Sequence, residues 1–259
     1  MVDLKEFEQK AADLRVLGMK ISIGQDTVYE KYWDEDCRRN IYSASKSFTS
    51  CAVGFAVQEG LIDLDERLMD AFKEDIPNNP DENLKKATVK DLLTMTLGQE
   101  KGFLMGKQRP RMEEQNWVKA SLAIPFVYEP GTHFVYNNVG PYLAGILVQR
   151  RAGCDLLSYL TPRLLKPLGI RKTIWEVDPE GNTFGAGGLF LTVSELHKLG
   201  MFYLQNGCWN GKKLLSKEWI HESTRKQVEN NKNSYGYGYL SGAAVITVFW
   251  PMENMVNTP

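Results

Sequence analysis

The sequence predicts an α/β fold of the α+β kind, with an antiparallel sheet flanked by helices and a second, mostly helical lobe. Two strand-like runs lie close together near the N-terminus and are joined by a short polar turn. Residues 43–185 are mostly helical in pattern, with breaks at prolines. We therefore expect a single domain over residues 1–259. Its sheet-containing lobe would comprise residues 1–42 and 186–259, and a cleft between the lobes is a common place for a site.

The individual elements follow from apolar spacing and turn residues. Residues 3–17 carry apolar side chains at helical intervals, which predicts an N-terminal helix. The strand-like runs are residues 19–23 and 27–32, with Gly24 in the turn between them. Further helices are predicted to follow Ser43, to begin at the threonine caps Thr88 and Thr192, and to cover residues 140–151.

The composition excludes several classes of protein. The net charge is -1, so there is no electrostatic reason to expect a nucleic acid or an anionic membrane as partner. The cysteines are scattered and the histidines form no ligand pattern, so we expect no disulfide framework, no metal and no cofactor. The chain shows no signal-peptide core and no run of membrane-spanning length, which favours a cytoplasmic protein with no membrane partner.

Ser43 and Lys46 form the most informative stretch, because a strongly apolar run follows them as far as Gly60. A helix that is apolar on nearly every side is buried, so Ser43 is expected at a buried helix N-terminus. Residues three apart share a helix face, which lets the Lys46 amine reach the Ser43 hydroxyl. Burial lowers the pKa of a lysine and leaves an amine able to take a proton from serine. The pair is therefore a candidate activated nucleophile.

Simpler roles are open for both residues. Ser43 could be an ordinary N-cap serine and Lys46 an ordinary surface lysine, although the apolar surroundings argue against the second role. Ser223 and Lys226 have the same spacing in a polar, charged stretch, and we interpret that pair as a chance match.

A second candidate element is the loop that carries Tyr136 and Asn138, directly before the helix predicted over residues 140–151. Such a loop can present a phenol and an amide to a cleft. Considered alone, it is more simply explained as a helix cap at Asn138 beside a packed tyrosine.

The two elements in combination resemble the serine β-lactamase and penicillin-binding-protein superfamily. Ser-x-x-Lys at a buried helix start is followed about 90 residues later by Tyr-x-Asn, as in the class C-like branch with its carboxylesterases and D-peptidases. The resemblance extends to about residue 240 and includes residues 60–65, 87–96, 128–131, 187–189 and 210–215.

The resemblance implies a β-lactamase/transpeptidase-like fold and a serine hydrolase that acts through an acyl-enzyme. Ser43 would attack a carbonyl, Lys46 and Tyr136 would share its proton, and Asn138 would hold Lys46 and the substrate. The backbone N–H of Ser43 would be one oxyanion donor. The implied partner is a small-molecule ester or amide. Small esters or D-amino-acid amides are preferred over β-lactams because no export signal is present.

The sequence departs from the family pattern at its third element, a strand that carries a Lys-Thr-Gly-like motif across the cleft from the serine. Leu240-Ser241-Gly242 matches only the last two positions of that motif. Shifting the codons of residues 250–258 by one nucleotide permits a string that resembles the missing motif. We therefore expect a frameshift or truncation near residue 240, natural or introduced in cloning. The final strands would then be missing or replaced, with residues 240–259 as an atypical tail.

Two functions follow from this pattern. The first is a serine hydrolase of the carboxylesterase, D-peptidase or β-lactamase-like type. The alternative is a catalytically impaired protein that binds or slowly acylates a ligand, because loss of one oxyanion donor costs roughly 3–4 kcal/mol of transition-state stabilisation. The altered C-terminal edge is a candidate surface for self-association. A Ser-His-Asp hydrolase is disfavoured, since the chain contains no Gly-x-Ser-x-Gly elbow.

Overall fold

The structure is a computed structural model that describes residues 4–11, 13–230 and 235–241. Most of the predicted atypical tail, residues 242–259, lies outside the described residues, and so do the predictions made for it. The α-helices within the described ranges are α1 (Lys5–Ala11), α2 (Ser45–Gln58), α3 (Leu68–Ala71), α4 (Glu82–Lys86), α5 (Val89–Thr94), α6 (Trp117–Leu122), α7 (Val139–Ala152), α8 (Leu156–Leu160), α9 (Val193–Leu204) and α10 (Lys217–Thr224). Short 3₁₀ turns cover Tyr42–Ala44 and Arg109–Arg111, and a π-helical turn covers Thr161–Leu165.

The strands in the described part of the chain pair only in antiparallel fashion. They are β1 (Gly18–Ile23) with β2 (Asp26–Tyr32), β3 (Arg39–Asn40) with β4 (Phe190–Leu191), and β5 (Cys208–Trp209) with β6 (Lys212–Lys213). The β1–β2 hairpin corresponds to the two strands predicted near the N-terminus. In the described ranges, the mixture of helices with three small antiparallel sheets confirms the predicted α/β class.

The core is built around two central helices, α2 and α7. Both are apolar on nearly every side and are buried along most of their length, as predicted for the helix after Ser43. Helix α5 packs on α7 at Gly140, where a Cβ atom would lie only 2.3 Å from the Leu92 carbonyl oxygen. This close approach fixes the N-terminal end of α7, which is the end that follows the Tyr136 loop.

Two predicted threonine caps are confirmed. Thr88 and Asp91 form a capping box at the start of α5, and Thr192 and Glu195 form another at the start of α9. Helix α7 ends at Gly153, whose φ of 67° is the left-handed conformation of a common helix stop.

The N-terminal helix is shorter than the predicted range of 3–17. Helix α1 ends at Ala11, whose carbonyl accepts a hydrogen bond from the Val16 N–H. Arg15 has a φ of 52°, in the left-handed region that a right-handed helix does not admit. The apolar spacing therefore identified the helix but not its C-terminal end.

Candidate active site

Ser43 lies in the 3₁₀ turn Tyr42–Ala44, which leads directly into α2, so it is at the N-terminal end of the buried helix as predicted. Ala44 occupies the N-cap position of α2, and no side-chain cap hydrogen bond is made there. The ordinary capping role for Ser43 is thus excluded. Tyr42, the preceding residue, has a φ of 46°, a strained conformation for a non-glycine residue that is often found at functional sites.

Lys46 is buried in the first turn of α2, with only 1% of its surface exposed. Its Nζ lies 3.2 Å from Ser43 Oγ, 2.8 Å from Asn138 Oδ1 and 2.6 Å from the Ala186 carbonyl oxygen. The structure therefore brings the predicted serine, lysine and asparagine together, and the surface-lysine interpretation is wrong.

The two shorter contacts determine the direction of the amine lone pair. The Ala186 carbonyl and Asn138 Oδ1 can only accept hydrogen bonds, so an uncharged Lys46 amine uses both of its N–H groups on them. Its lone pair then faces Ser43 Oγ, which can donate its hydroxyl hydrogen. A general base needs this geometry toward a serine nucleophile.

The uncharged amine is favoured by its surroundings. Burial lowers the pKa of Lys46 to about 7, and the positive charge of Arg109 acts in the same direction. Its three hydrogen-bond partners are neutral oxygens, and no ion pair within the described residues compensates an ammonium at this position. A substantial fraction of Lys46 is therefore a free amine at neutral pH.

Asn138 is free to contact Lys46 because its neighbour Asn137 performs the capping. Asn137 Oδ1 accepts a hydrogen bond from the Gly140 N–H in the first turn of α7, whereas Asn138 makes no side-chain cap bond. Asn138 Nδ2 donates to the Leu104 carbonyl at 3.0 Å. Since only the NH₂ group can donate to a carbonyl, this bond orients Asn138 Oδ1 toward Lys46.

Tyr136 lies beside both Ser43 and Lys46. Lys46 Nζ is 5.2 Å from the centre of the Tyr136 ring, which in turn meets the Tyr237 ring edge-on. Burial raises the pKa of Tyr136, and a hydrogen bond with the Ser43 side chain opposes that shift. Tyr136 is thus protonated at neutral pH and can relay a proton at the Ser43 hydroxyl.

Comparison with known proteins assigns the chain to a family. The model of the Beta-lactamase family matches residues 5–246. The chain belongs to the Beta-lactamase family. This result confirms the predicted membership of the serine β-lactamase and penicillin-binding-protein superfamily.

Relatives in the family include enzymes that act at acyl groups. Monacolin J acid methylbutanoyltransferase of Aspergillus terreus is 31% identical over 157 residues, which cover 53% of this chain and 37% of that protein. Lovastatin esterase of Penicillium rubens is 31% identical over 150 residues, which cover 49% of this chain and 37% of the esterase. The matched region therefore spans little more than a third of the length of these relatives.

Solved structures share the fold. The octameric penicillin-binding protein homologue of Pyrococcus abyssi superposes with a TM-score of 0.74 and 22% identity, over 92% of this chain and 64% of that one. A mutant simvastatin synthase of Aspergillus terreus gives 0.65 and 20% identity, over 87% of this chain and 70% of that one. At these identities the likeness concerns the fold alone, and it confirms the predicted β-lactamase/transpeptidase-like fold.

Several contacts in this member of the family carry no local sequence signal. The loop that supplies the Ala186 carbonyl is held on α2 by Ser45 and Thr49. Ser45 Oγ accepts from the Leu189 N–H, and Thr49 Oγ1 donates to the Gly185 carbonyl. The Asn-Asn pair before a Gly-Pro helix start could have indicated that Asn137 is the cap. The backbone acceptors Leu104 and Ala186 could not have been found from residue type.

The second Ser-x-x-Lys match is a chance match, as predicted. Ser223 Oγ donates to the Ile220 carbonyl inside α10, while Lys226 forms an ion pair with Glu229. Within the described ranges no group of three or more His, Cys, Asp or Glu residues could hold a metal ion. In the same ranges no helix has the length and apolar character needed to cross a membrane.

Proposed function

We propose that this Beta-lactamase family member is a serine enzyme that transfers the acyl group of an ester or amide through an acyl-enzyme. The observation that carries the proposal is the contact of Ser43 Oγ with the buried Lys46 Nζ, which also contacts two carbonyl oxygens, those of the Asn138 side chain and of Ala186. This contact places a proton acceptor, Lys46, beside the Ser43 hydroxyl, and most serines have no such neighbour.

The proposed roles follow from the contacts. Ser43 Oγ attacks the acyl carbon, and its proton passes to Lys46 Nζ, directly or through the Tyr136 hydroxyl. Collapse of the tetrahedral intermediate breaks the bond to the leaving alcohol or amine, which takes up that proton. Asn138 keeps Lys46 in place, and the Ser43 N–H is an oxyanion donor. Water or an acceptor alcohol then releases the acyl group from Ser43.

Small-molecule esters are the substrate class that we favour, followed by D-amino-acid amides. Two relatives are named for acyl chemistry, one as a methylbutanoyltransferase and one as an esterase. The same acyl-Ser43 intermediate serves both outcomes, because hydrolysis and transfer differ only in the acceptor that attacks it. A β-lactam is the less favoured acyl donor.

The test is intact-mass analysis after exposure to a fluorophosphonate probe, which reacts with activated serines. We expect a single adduct on the parent chain and none on the Ser43→Ala variant. Ser22→Ala is a matched control, because Ser22 Oγ lies 3.0 Å from His197 Nε2 and is also a serine beside a base. Loss of the adduct in Ser22→Ala but not in Ser43→Ala would refute the assignment.

Turnover distinguishes the two functions that the sequence leaves open. Esters, D-peptide amides and penicillins are offered to the parent chain, with and without an acceptor alcohol. Product formation that depends on Ser43 supports the enzyme. An adduct at Ser43 without product would support the impaired protein that acylates slowly.

A further inference from the structure

Arg109 is placed beside the candidate site by contacts on both sides of its guanidinium. Its Cζ atom lies 4.3 Å from the centre of the Phe184 ring, and its Nη1 donates to Glu176 Oε2 at 3.1 Å. Its Nε is buried and has no hydrogen-bond partner among the described residues. The guanidinium is thus held by stacking and by one carboxylate, and water does not fully surround it.

Glu176 links Arg109 to the turn that carries the nucleophile. Glu176 Oε1 accepts a hydrogen bond from Asn40 Nδ2 at 3.0 Å, and Asn40 Oδ1 accepts one from the Tyr42 N–H at 2.7 Å. Tyr42 is the left-handed residue directly before Ser43. Glu176 also covers Gly188, where a Cβ atom would lie 2.6 Å from Glu176 Oε2.

One carboxylate therefore connects three segments, each of which supplies a contact at the site. The first segment, residues 40–43, carries Ser43. The second, residues 103–109, carries the Leu104 carbonyl that orients Asn138. The third, residues 176–188, carries the Ala186 carbonyl that binds Lys46. Since the ends of all three meet at the Arg109–Glu176 ion pair, this pair is well placed to act on Lys46 through both geometry and charge.

We propose that Arg109 and Glu176 are positioning residues, a charge pair that sets how readily Lys46 accepts the proton of Ser43. The proposal rests on the proposed function, in which Lys46 is the base. Among the described residues, the Tyr136 ring faces Lys46 with Tyr237 behind it, and Arg109 acts on Lys46 through its charge. Both phenols have pKa values raised by burial, so they stay neutral in the relevant range.

The two charges act on Lys46 in opposite directions. The positive charge of Arg109 disfavours an ammonium at Lys46. Glu176 forms an ion pair with Arg109, and we infer that its negative charge partly cancels that of Arg109 at Lys46. Removing the carboxylate in Glu176→Gln leaves Arg109 uncompensated, so Lys46 should lose its proton at lower pH. Removing the guanidinium in Arg109→Met should have the reverse effect. A merely structural role would weaken the site in both variants without opposite shifts.

The experiment measures the rate of fluorophosphonate labelling of Ser43 between about pH 5.5 and about pH 9. In the parent chain the labelling rate should increase with pH as Lys46 loses its proton, and this part of the profile is the rising limb. We expect the limb to shift to lower pH by about half a unit in Glu176→Gln and to higher pH by about as much in Arg109→Met. The double variant should return close to the parent limb. Arg109→Lys keeps the charge and changes the geometry, so its limb should stay near that of the parent.

A second ion pair, at the C-terminal end of α2, serves as a matched control. Arg163 and Glu59 form an ion pair at 2.7 Å, and the Arg163 Cζ atom lies 4.0 Å from the centre of the Tyr159 ring. This pair has the same chemistry and a similar exposure, but it lies at the C-terminal end of α2, away from Lys46. Glu59→Gln and Arg163→Met should leave the pH limb unchanged.

Failure of the inference is distinguishable from failure of the proposed function. If the parent chain is labelled at Ser43 but Glu176→Gln and Arg109→Met both keep its pH limb or shift it in the same direction, the charge pair has no such role. If Ser43 is not labelled at all, the proposed function fails. The charge pair is then judged by NMR titration of ¹³C-labelled lysine, with Lys46→Met used to assign the signal. Opposite shifts in that titration would support the pair, and equal titration curves would overturn it.

Discussion

Replacing Lys46 with methionine measures how strongly the folded protein disfavours the protonated form of the Lys46 amine. Methionine fills a similar volume and cannot be charged. The variant leaves Asn138 Oδ1 and the Ala186 carbonyl without their donor, which costs about 1–3 kcal/mol at every pH. The informative quantity is therefore the pH dependence of the difference in unfolding free energy between the parent and Lys46→Met, and not its absolute value.

The size of that dependence follows from the pKa of Lys46. Burial lowers this pKa from its usual value of 10.5 to about 7, so between these values the unfolded chain binds a proton that the folded chain does not. The unfolding free energy of the parent must then rise with pH across this interval and fall as pH decreases toward 7. Integration from about pH 8.5 to about pH 6 gives a loss of about 2 kcal/mol, which levels off at lower pH as the folded form is also protonated.

Urea unfolding of both proteins at a series of pH values in this range tests the expectation. Titrations of other groups affect the parent and the variant alike, so they cancel in the difference. A difference that stays constant over the range would mean that Lys46 is charged in the folded protein throughout. The argument for Lys46 as the resting base would then be refuted.

Three further outcomes are expected from the contacts. Asn138→Ala should slow the labelling of Ser43 by about 10²-fold or more, because Lys46 loses an acceptor. Asn137→Ala is the control: it should lower the unfolding free energy by about 1 kcal/mol through the lost helix cap and leave the labelling rate unchanged. Gly140→Ala should lower stability by about 1–3 kcal/mol in urea unfolding, because the new methyl group meets a carbonyl of α5. Native protein at about pH 8 should be alkylated by iodoacetamide at the exposed Cys37 but not at Cys51, whose pKa burial raises to about 12. Peptide mapping checks this, and alkylation of Cys51 in the folded chain would contradict the packing of α2.

The parts of the site that the sequence predicts are those that depend on local spacing. A serine and a lysine three residues apart meet in a 3₁₀ turn as well as in an α-helix, so the contact of Ser43 with Lys46 was predictable although the turn type was not. The apolar run after them required burial, and burial alone lowers the pKa of a lysine. The threonine caps at α5 and α9 are equally local and were predicted for the same reason.

The remaining parts depend on chain segments that meet only in the folded protein. Ala186 contributes a carbonyl group that any residue would offer, so its side chain gives no sign of the contact with Lys46. Arg109 lies in a polar stretch with other basic residues, and its ion pair with Glu176 joins positions that are 67 apart in the chain. Residue types alone do not distinguish such a pair from solvated charges, since most surface ion pairs contribute little.

The Ala186 carbonyl is a backbone acceptor, and it helps to fix the orientation of the Lys46 amine. A side-chain acceptor could rotate, whereas the Ala186 carbonyl is held by a loop that Ser45 and Thr49 attach to the same helix as Lys46. Any movement of α2 therefore carries the lysine and the oxygen that orients it together. Asn138 supplies the second acceptor from the N-cap position of α7, and α7 packs directly on α2. The direction of the Lys46 lone pair toward Ser43 is therefore set by the packing of the core. Substitutions that loosen the packing of α2 on α7 should accordingly reduce the labelling of Ser43 before they unfold the chain.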